Sequence, residues 1–214
     1  MKVCIVGANG KIGRILVDKM SKMDEFRVRA FVRKEEQAEA FCERDIEAVT
    51  CDLEDTVDNI AEALDGSDAV VFTAGSGSKT GPDKTLLVDL DGAVKTIEAA
   101  EAKGIKRIIM VSALQAHHRE NWNERIRHYY VAKHYADRVL TASSLDYTIV
   151  RPARLLDEKG TGKVKLAENL ERTSIPREDV ADTIIACLKH DNTIRKGFDL
   201  ISGETPIEEA VKNI

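Results

Sequence analysis

Tyr129 and Lys133 stand four residues apart in a stretch that reads as helix from Asn123 to Ala142, so their side chains share one face. A free phenol keeps its proton to about pH 10, and an ammonium one turn away favours the phenolate. The pair is therefore a candidate couple for proton exchange near neutrality. Ser112 closes the strand predicted from Arg107, just before this helix, and its hydroxyl there can fix a carbonyl or alcohol oxygen beside the phenol. Tyrosine and lysine at this spacing are also common on a solvated helix face, so the pattern gains weight from a second feature near the start of the chain.

That feature is the segment Gly7-Ala8-Asn9-Gly10-Lys11-Ile12-Gly13, which follows the apolar run Val3-Cys4-Ile5-Val6 and opens an amphipathic stretch. Ile12, Ile15, Leu16, Met20 and Met23 recur there at helical spacing. Three glycines where a strand turns into a helix suit a dinucleotide pyrophosphate: the turn is tight, backbone amides approach the phosphates, and helix packs closely on strand. The free amides and dipole of the helix start favour the anion. At the end of the next predicted strand the chain reads Phe31-Val32-Arg33-Lys34. An acid at this place would bind the ribose hydroxyls of NAD, whereas an arginine suits the 2′-phosphate of NADP. Arg33, helped by Lys34 or Arg14, points to NADP.

These residues need a scaffold, and the pattern supplies one. Short β-branched runs are predicted at 27–32, 47–50, 68–73, 107–112, 146–150 and 198–201, alternating with helices at 35–43, 57–64, 83–103, 123–142 and 176–189. Ser174 is read as the start signal of the last helix, with Glu178 and Asp179 in its first turn. Such alternation predicts a doubly wound α/β fold of three layers, a parallel sheet between helices, in one domain with a small substrate-side portion from about residue 151. Two loops leave carboxyl ends of strands, where ligands bind in open sheets: 75–82 and 116–123. The second holds His117, His118 and Trp122, read as solvent-facing histidines and a lid, wall or core residue.

The 214 residues carry a net charge of −5 with 43% apolar and 32% charged side chains, which gives no electrostatic footprint for nucleic acid. Cys4, Cys42, Cys51 and Cys187 lack metal-ligand spacing. No apolar run approaches membrane-spanning length and no signal-peptide core follows Met1, so a cytoplasmic protein without metal or membrane partner is expected.

Across nearly its whole length the chain resembles the short-chain dehydrogenase/reductase superfamily, in the atypical branch whose glycine motif matches nucleotide-sugar epimerases and dehydratases. Gly7, Gly10 and Gly13 match its phosphate loop, Asp52-Leu53 its adenine-side segment, Ala74-Gly75 its fourth-strand motif, and Ser112, Tyr129 and Lys133 its catalytic set. Arg151-Pro152 looks like the segment that lines the nicotinamide, with Arg154 replacing a usually small residue and available to an anionic substrate. Asp89 stands where better-known members carry asparagine; a carboxylate accepts hydrogen bonds where an amide also donates them. A small subgroup of epimerase-like proteins shares that habit and is the most similar.

The resemblance implies an enzyme moving hydride between NADP(H) and a small carbonyl or alcohol, with Tyr129 as acid/base, Lys133 lowering its pKa, Ser112 orienting the substrate and Asp89 in the relay. Residues 151–214 leave scant material for a sugar-nucleotide lobe. The rival reading is a non-catalytic NADP(H) sensor, favoured by Asp89 and the lack of a substrate motif and disfavoured by the joint presence of Ser112, Tyr129 and Lys133. The resemblance is compatible with a monomer or a homodimer.

Overall fold

Val3 to Val6 are fully buried, and such a continuous apolar run belongs at the centre of a sheet covered on both faces. In the computed structural model, which describes residues 1–77 and 80–214, this run is the central strand β1 (Lys2–Val6). It is flanked by β2 (Arg27–Val32) and β4 (Ala69–Phe72), with Val6 level with Phe31 on one side and Phe72 on the other. Beyond β2 lies β3 (Glu47–Thr50); beyond β4 follow β5 (Arg107–Val111), β6 (Asp146–Pro152) and β10 (Lys196–Ser202), all parallel. Strand order therefore reverses between β1 and β4, the place where ligands lodge in doubly wound sheets.

Alternate residues of the strands feed two cores. Val3 and Ile5 join the layer beneath α1 (Lys11–Met20) and α7 (Arg177–Lys189). Cys4 and Val6 join the layer beneath α3 (Val57–Leu64), α5 (Gly92–Ala102) and α6 (Arg127–Ala142). The three-layer α/β/α reading is thus the fold of the chain, with α2 (Glu35–Cys42) over the β2–β3 edge.

Several details differ from the pattern. The predicted helix over 83–103 is a short α4 (Pro82–Lys84), a π-helical segment Thr85–Asp91, and then α5. A Cβ on Gly92 would stand 2.9 Å from Leu53 Cβ, so glycine permits α5 to close on the adenine-side segment. Helix α6 begins at Arg127, not Asn123; two 3₁₀ turns, Arg119–Asn121 and Glu124–Ile126, precede it, and Asn123 accepts a bond from the Arg125 amide. Ser174 does not cap α7. It belongs to β9 (Ser174–Pro176), which pairs in a small separate sheet with β7 (Arg154–Leu156). The sheet edge also carries β8 (Lys163–Ala167) antiparallel to β10, then β11 (Thr205–Pro206), with α8 (Ile207–Lys212) after it. Ser78 and Lys79, in the loop read from 75 to 82, lie outside the described residues. No helix among the described residues is long and apolar enough to cross a membrane.

Candidate active site

Gly7 turns the chain at φ +83°, a conformation that L side chains avoid, and a Cβ there would lie 2.7 Å from Ala74 Cα. A Cβ on Gly13 would meet Gly7 O and lie 2.8 Å from Ala8 Cα, so the start of α1 is pressed against the turn. Gly10 caps α1 without a side chain, and the first amide paired back is that of Arg14, 2.9 Å from Gly10 O. The amides of Lys11, Ile12 and Gly13 consequently have no partner among the described residues. This cradle, open at a helix start and intolerant of side chains, fits a pyrophosphate. Ala74-Gly75 abuts it, and Thr73 Oγ1 donates to Val6 O at 3.0 Å, tying the two strand ends together.

Arg33 follows the last residue of β2, exposed and without a hydrogen-bond partner among the described residues. Lys34 beside it is also exposed. Arg14, suggested above as a helper, is committed elsewhere: its guanidinium holds Asn9 through the backbone oxygen at 3.1 Å and Oδ1 at 2.6 Å. Asp52 accepts from the Glu54 amide at 3.0 Å, and Leu53 is buried against Gly92. Lys11 pairs at 2.5 Å with Asp157.

On the other side of the strand ends, Lys133 is 4% exposed. Its Nζ donates to Val111 O at 3.3 Å and lies 3.3 Å from Asp89 Oδ1. Asp89, 2% exposed, accepts the Ser76 amide on Oδ2 at 2.9 Å. The π-helical segment matters here, because its wider turn carries Asp89 and brings this carboxylate between the strand-end loop and Lys133. The ammonium also lies 5.7 Å from the centre of the Tyr129 ring. Ser112, one residue beyond the carbonyl that Lys133 holds, is fixed by its amide to Val150 O at 2.8 Å. Its Oγ is buried without a partner, an orphaned hydroxyl awaiting an oxygen.

Tyr129 is half-buried, and no described residue bonds its hydroxyl. Burial, with help from Asp89, pushes its pKa above the ordinary value and outweighs the lowering by Lys133. The depressed phenol expected from the lysine alone is thus corrected: the phenol of the free protein is a firmly protonated acid. Burial works to lower Lys133, yet Tyr129 and Asp89 together hold its pKa above the usual value, so the ammonium stays charged.

The segment 116–123 folds onto α6 beside this site. Ala116 O accepts from Trp122 Nε1 at 3.1 Å and bonds His134 Nδ1 at 2.8 Å, while the indole stacks on Tyr130 with centroids 6.1 Å apart. Trp122 is accordingly a core residue, packed in a small cluster with Ala113, Ala116 and Tyr130. His117 turns away from Tyr129 toward the end of β8, with Nε2 2.8 Å from Glu168 O, and burial, then Arg151, lowers its pKa to about 4. His118 lies near Glu120. Arg154 is exposed on β7.

Arg151-Pro152 was read after the sixth strand but lies within it. Arg151 turns to α6, where Nε donates to Asp137 Oδ2 at 2.8 Å in a buried pair. The sequence reading missed this pair, although Asp137 continues the stripe Tyr129, Lys133 at a further four residues, a visible signal. It also missed the bond from the Ser76 amide to Asp89, which no spacing announces. Among the described residues no group of three His, Cys, Asp or Glu side chains could hold a metal ion.

Residues 7–191 match the NAD(P)H-binding domain family, from the glycine turn through the end of α7. The chain belongs to that family. It is 57% identical over 214 residues to the uncharacterized sugar epimerase YhfK of Bacillus subtilis, covering all of both chains. The solved structure of a candidate NAD-dependent epimerase/dehydratase from Bacillus halodurans superposes with a TM-score of 0.93, at 44% identity and full coverage of both chains. That of the oxidoreductase ylbE from Lactococcus lactis gives 0.92 at 36% identity, over 100% of this chain and 96% of the other. The chain is thus an NAD(P)-binding Rossmann protein of the epimerase-like and atypical reductase group.

Proposed function

We propose that this protein is an NADP(H)-dependent oxidoreductase that reduces a small carbonyl compound at Ser112, Tyr129 and Lys133. The observation that carries the reading is the unpartnered, buried Ser112 hydroxyl beside the Lys133–Asp89 pair and a phenol with no other partner. A hydroxyl left dry costs about 1–3 kcal/mol, which a substrate oxygen would recover. Bound nicotinamide would supply the hydride; this chain's residues supply orientation and the proton. Ser112 would donate to the carbonyl oxygen and hold it. Tyr129, protonated because its pKa is raised, would deliver the proton to that oxygen as negative charge develops. Lys133 would balance the resulting phenolate, its own position fixed by Val111 O and Asp89. A raised phenol pKa favours reduction over alcohol oxidation, because oxidation needs the phenolate first.

NADP is preferred in this reading because Arg33 is unpaired beside the ribose position and no acid occupies the end of β2. The solved oxidoreductase ylbE, 36% identical to this chain, supports a redox reading of the site. One observation favours a non-catalytic sensor: Asp89, bound to an amide and an ammonium, leaves no donor where a relay amide would stand. Screening carbonyl compounds with NADPH separates the two. Turnover that Tyr129→Phe lowers roughly 10²-fold supports the enzyme, the usual scale for a general acid. NADPH binding without turnover of any carbonyl in the screen supports the sensor.

A further inference from the structure

Beside the segment 116–123, a chamber of about 390 Å³ lies over the paired strands β6 and β10 on the face that carries Arg151. Its volume lies in the range of small-ligand sites and far exceeds the ~30 Å³ share of one water. Arg151 forms its inner wall at 7% exposure. Only Nε of that guanidinium is used, on Asp137; Nη1 and Nη2 have no hydrogen-bond partner among the described residues. The guanidinium is held in place: Asp137 grips one edge, and Gly197 lies against the other, where a Cβ would come within 3.0 Å of Nη1 and 3.1 Å of Nη2. Two parallel N–H donors on a fixed, buried fork match the two oxygens of a carboxylate. Both Nη groups face the chamber, where they are open to an acceptor.

The other walls define the rest of the ligand. Tyr147 and Ile149 line the same face of β6 as Arg151, which suits an aliphatic or aromatic body. Lys196 at the mouth attracts an anion, whereas Glu168 beside it and Asp137 behind the arginine oppose a second negative charge. His117, neutral at physiological pH, adds none. We propose that this chamber is a second binding site, separate from the nucleotide cleft, for a small organic monocarboxylate whose carboxylate sits on the Nη groups of Arg151 and whose apolar body faces Tyr147.

The test uses benzoate as probe, with benzyl alcohol as its uncharged counterpart and inorganic phosphate as the plain anion, in calorimetric and ligand-observed NMR titrations of the full chain. Benzoate is expected to bind at least roughly tenfold more tightly than either, the scale of one charge-assisted bidentate contact. Two variants locate it. Arg151→Met removes the fork but strands Asp137, so Ala167→Leu, which fills the chamber from β8 and keeps the ion pair, provides the independent arm. Ala167→Leu should abolish benzoate binding while NADPH affinity stays unchanged, which also separates this site from the cofactor cleft. Benzoate binding no tighter than benzyl alcohol or phosphate, or retained in Ala167→Leu, would overturn the proposal.

Discussion

At the scale of single residues, two side chains carry separable parts of the account. Arg33 is free at the end of β2, so Arg33→Ala should cost NADPH roughly tenfold or more in affinity and leave NADH nearly unchanged, as calorimetry with both cofactors will show. Equal affinities of the unmodified protein for the two would remove the basis for NADP preference. Asp89 bridges the Ser76 amide and Lys133, and Asp89→Asn should release the ammonium's partner while keeping an acceptor for the amide. With its carboxylate partner gone, Lys133 titrates at lower pH, so reductase activity of the variant should decline at a lower alkaline pH than that of the unmodified protein. Under the proposed reductase reading, the unmodified protein should hold its rate through neutrality and lose it only as Tyr129 deprotonates, above the ordinary phenol value near 10. Residue types and spacing singled out Ser112, Tyr129 and Lys133, and the family resemblance added Asp89, whose contact with Lys133 only the fold supplies. They did not reveal that burial outweighs the lysine at the phenol, because desolvation depends on what the fold packs around a side chain and not on its neighbours in sequence.

The elements follow the sequence wherever a single pattern decides them. β2, β3 and α3 occupy the spans predicted for them, and α3 is marked at both ends, by the Thr56 cap at its start and Asp65 at its end. Departures come where tertiary contacts decide. The run 83–103 has uninterrupted helical periodicity, yet it widens into π-helical turns that carry Asp89 into the cleft, a local cost that polar contacts at the site offset. β7, β9 and β11 span two or three residues each, too few for any period to show, and Ser174 looked like a cap because a paired strand so short resembles a loop. The glycine turn is an element whose purpose is testable. Gly13→Val would push a side chain into Gly7 O and Ala8, so both NADPH and NADH should bind at least tenfold more weakly, roughly 1.4 kcal/mol. Unchanged binding in a folded Gly13→Val protein would place the pyrophosphate elsewhere.

For the whole molecule, cofactor binding must appear as stability, because ligand that binds only the folded chain stabilises it by mass action. NADPH at a hundred times its Kd should add about 2.7 kcal/mol, a rise of roughly 5–10 °C in Tm for a chain of this size, and NADH at the same concentration should give less. The sheet order with its reversal between β1 and β4 gathers the glycine turn, Arg33 and the Ser112–Lys133 group at the carboxyl ends of the strands, where the proposed cleft lies. The claim that this cleft performs chemistry is tested most directly by following a label. With NADPH deuterated at C4 and a carbonyl substrate from the screen, the unmodified protein should pass deuterium to the alcohol carbon, and Tyr129→Phe should slow that transfer roughly 10²-fold while NADPH affinity changes little. Alcohol that forms without the label, or label transfer undiminished in Tyr129→Phe, would contradict hydride transfer with Tyr129 as the acid.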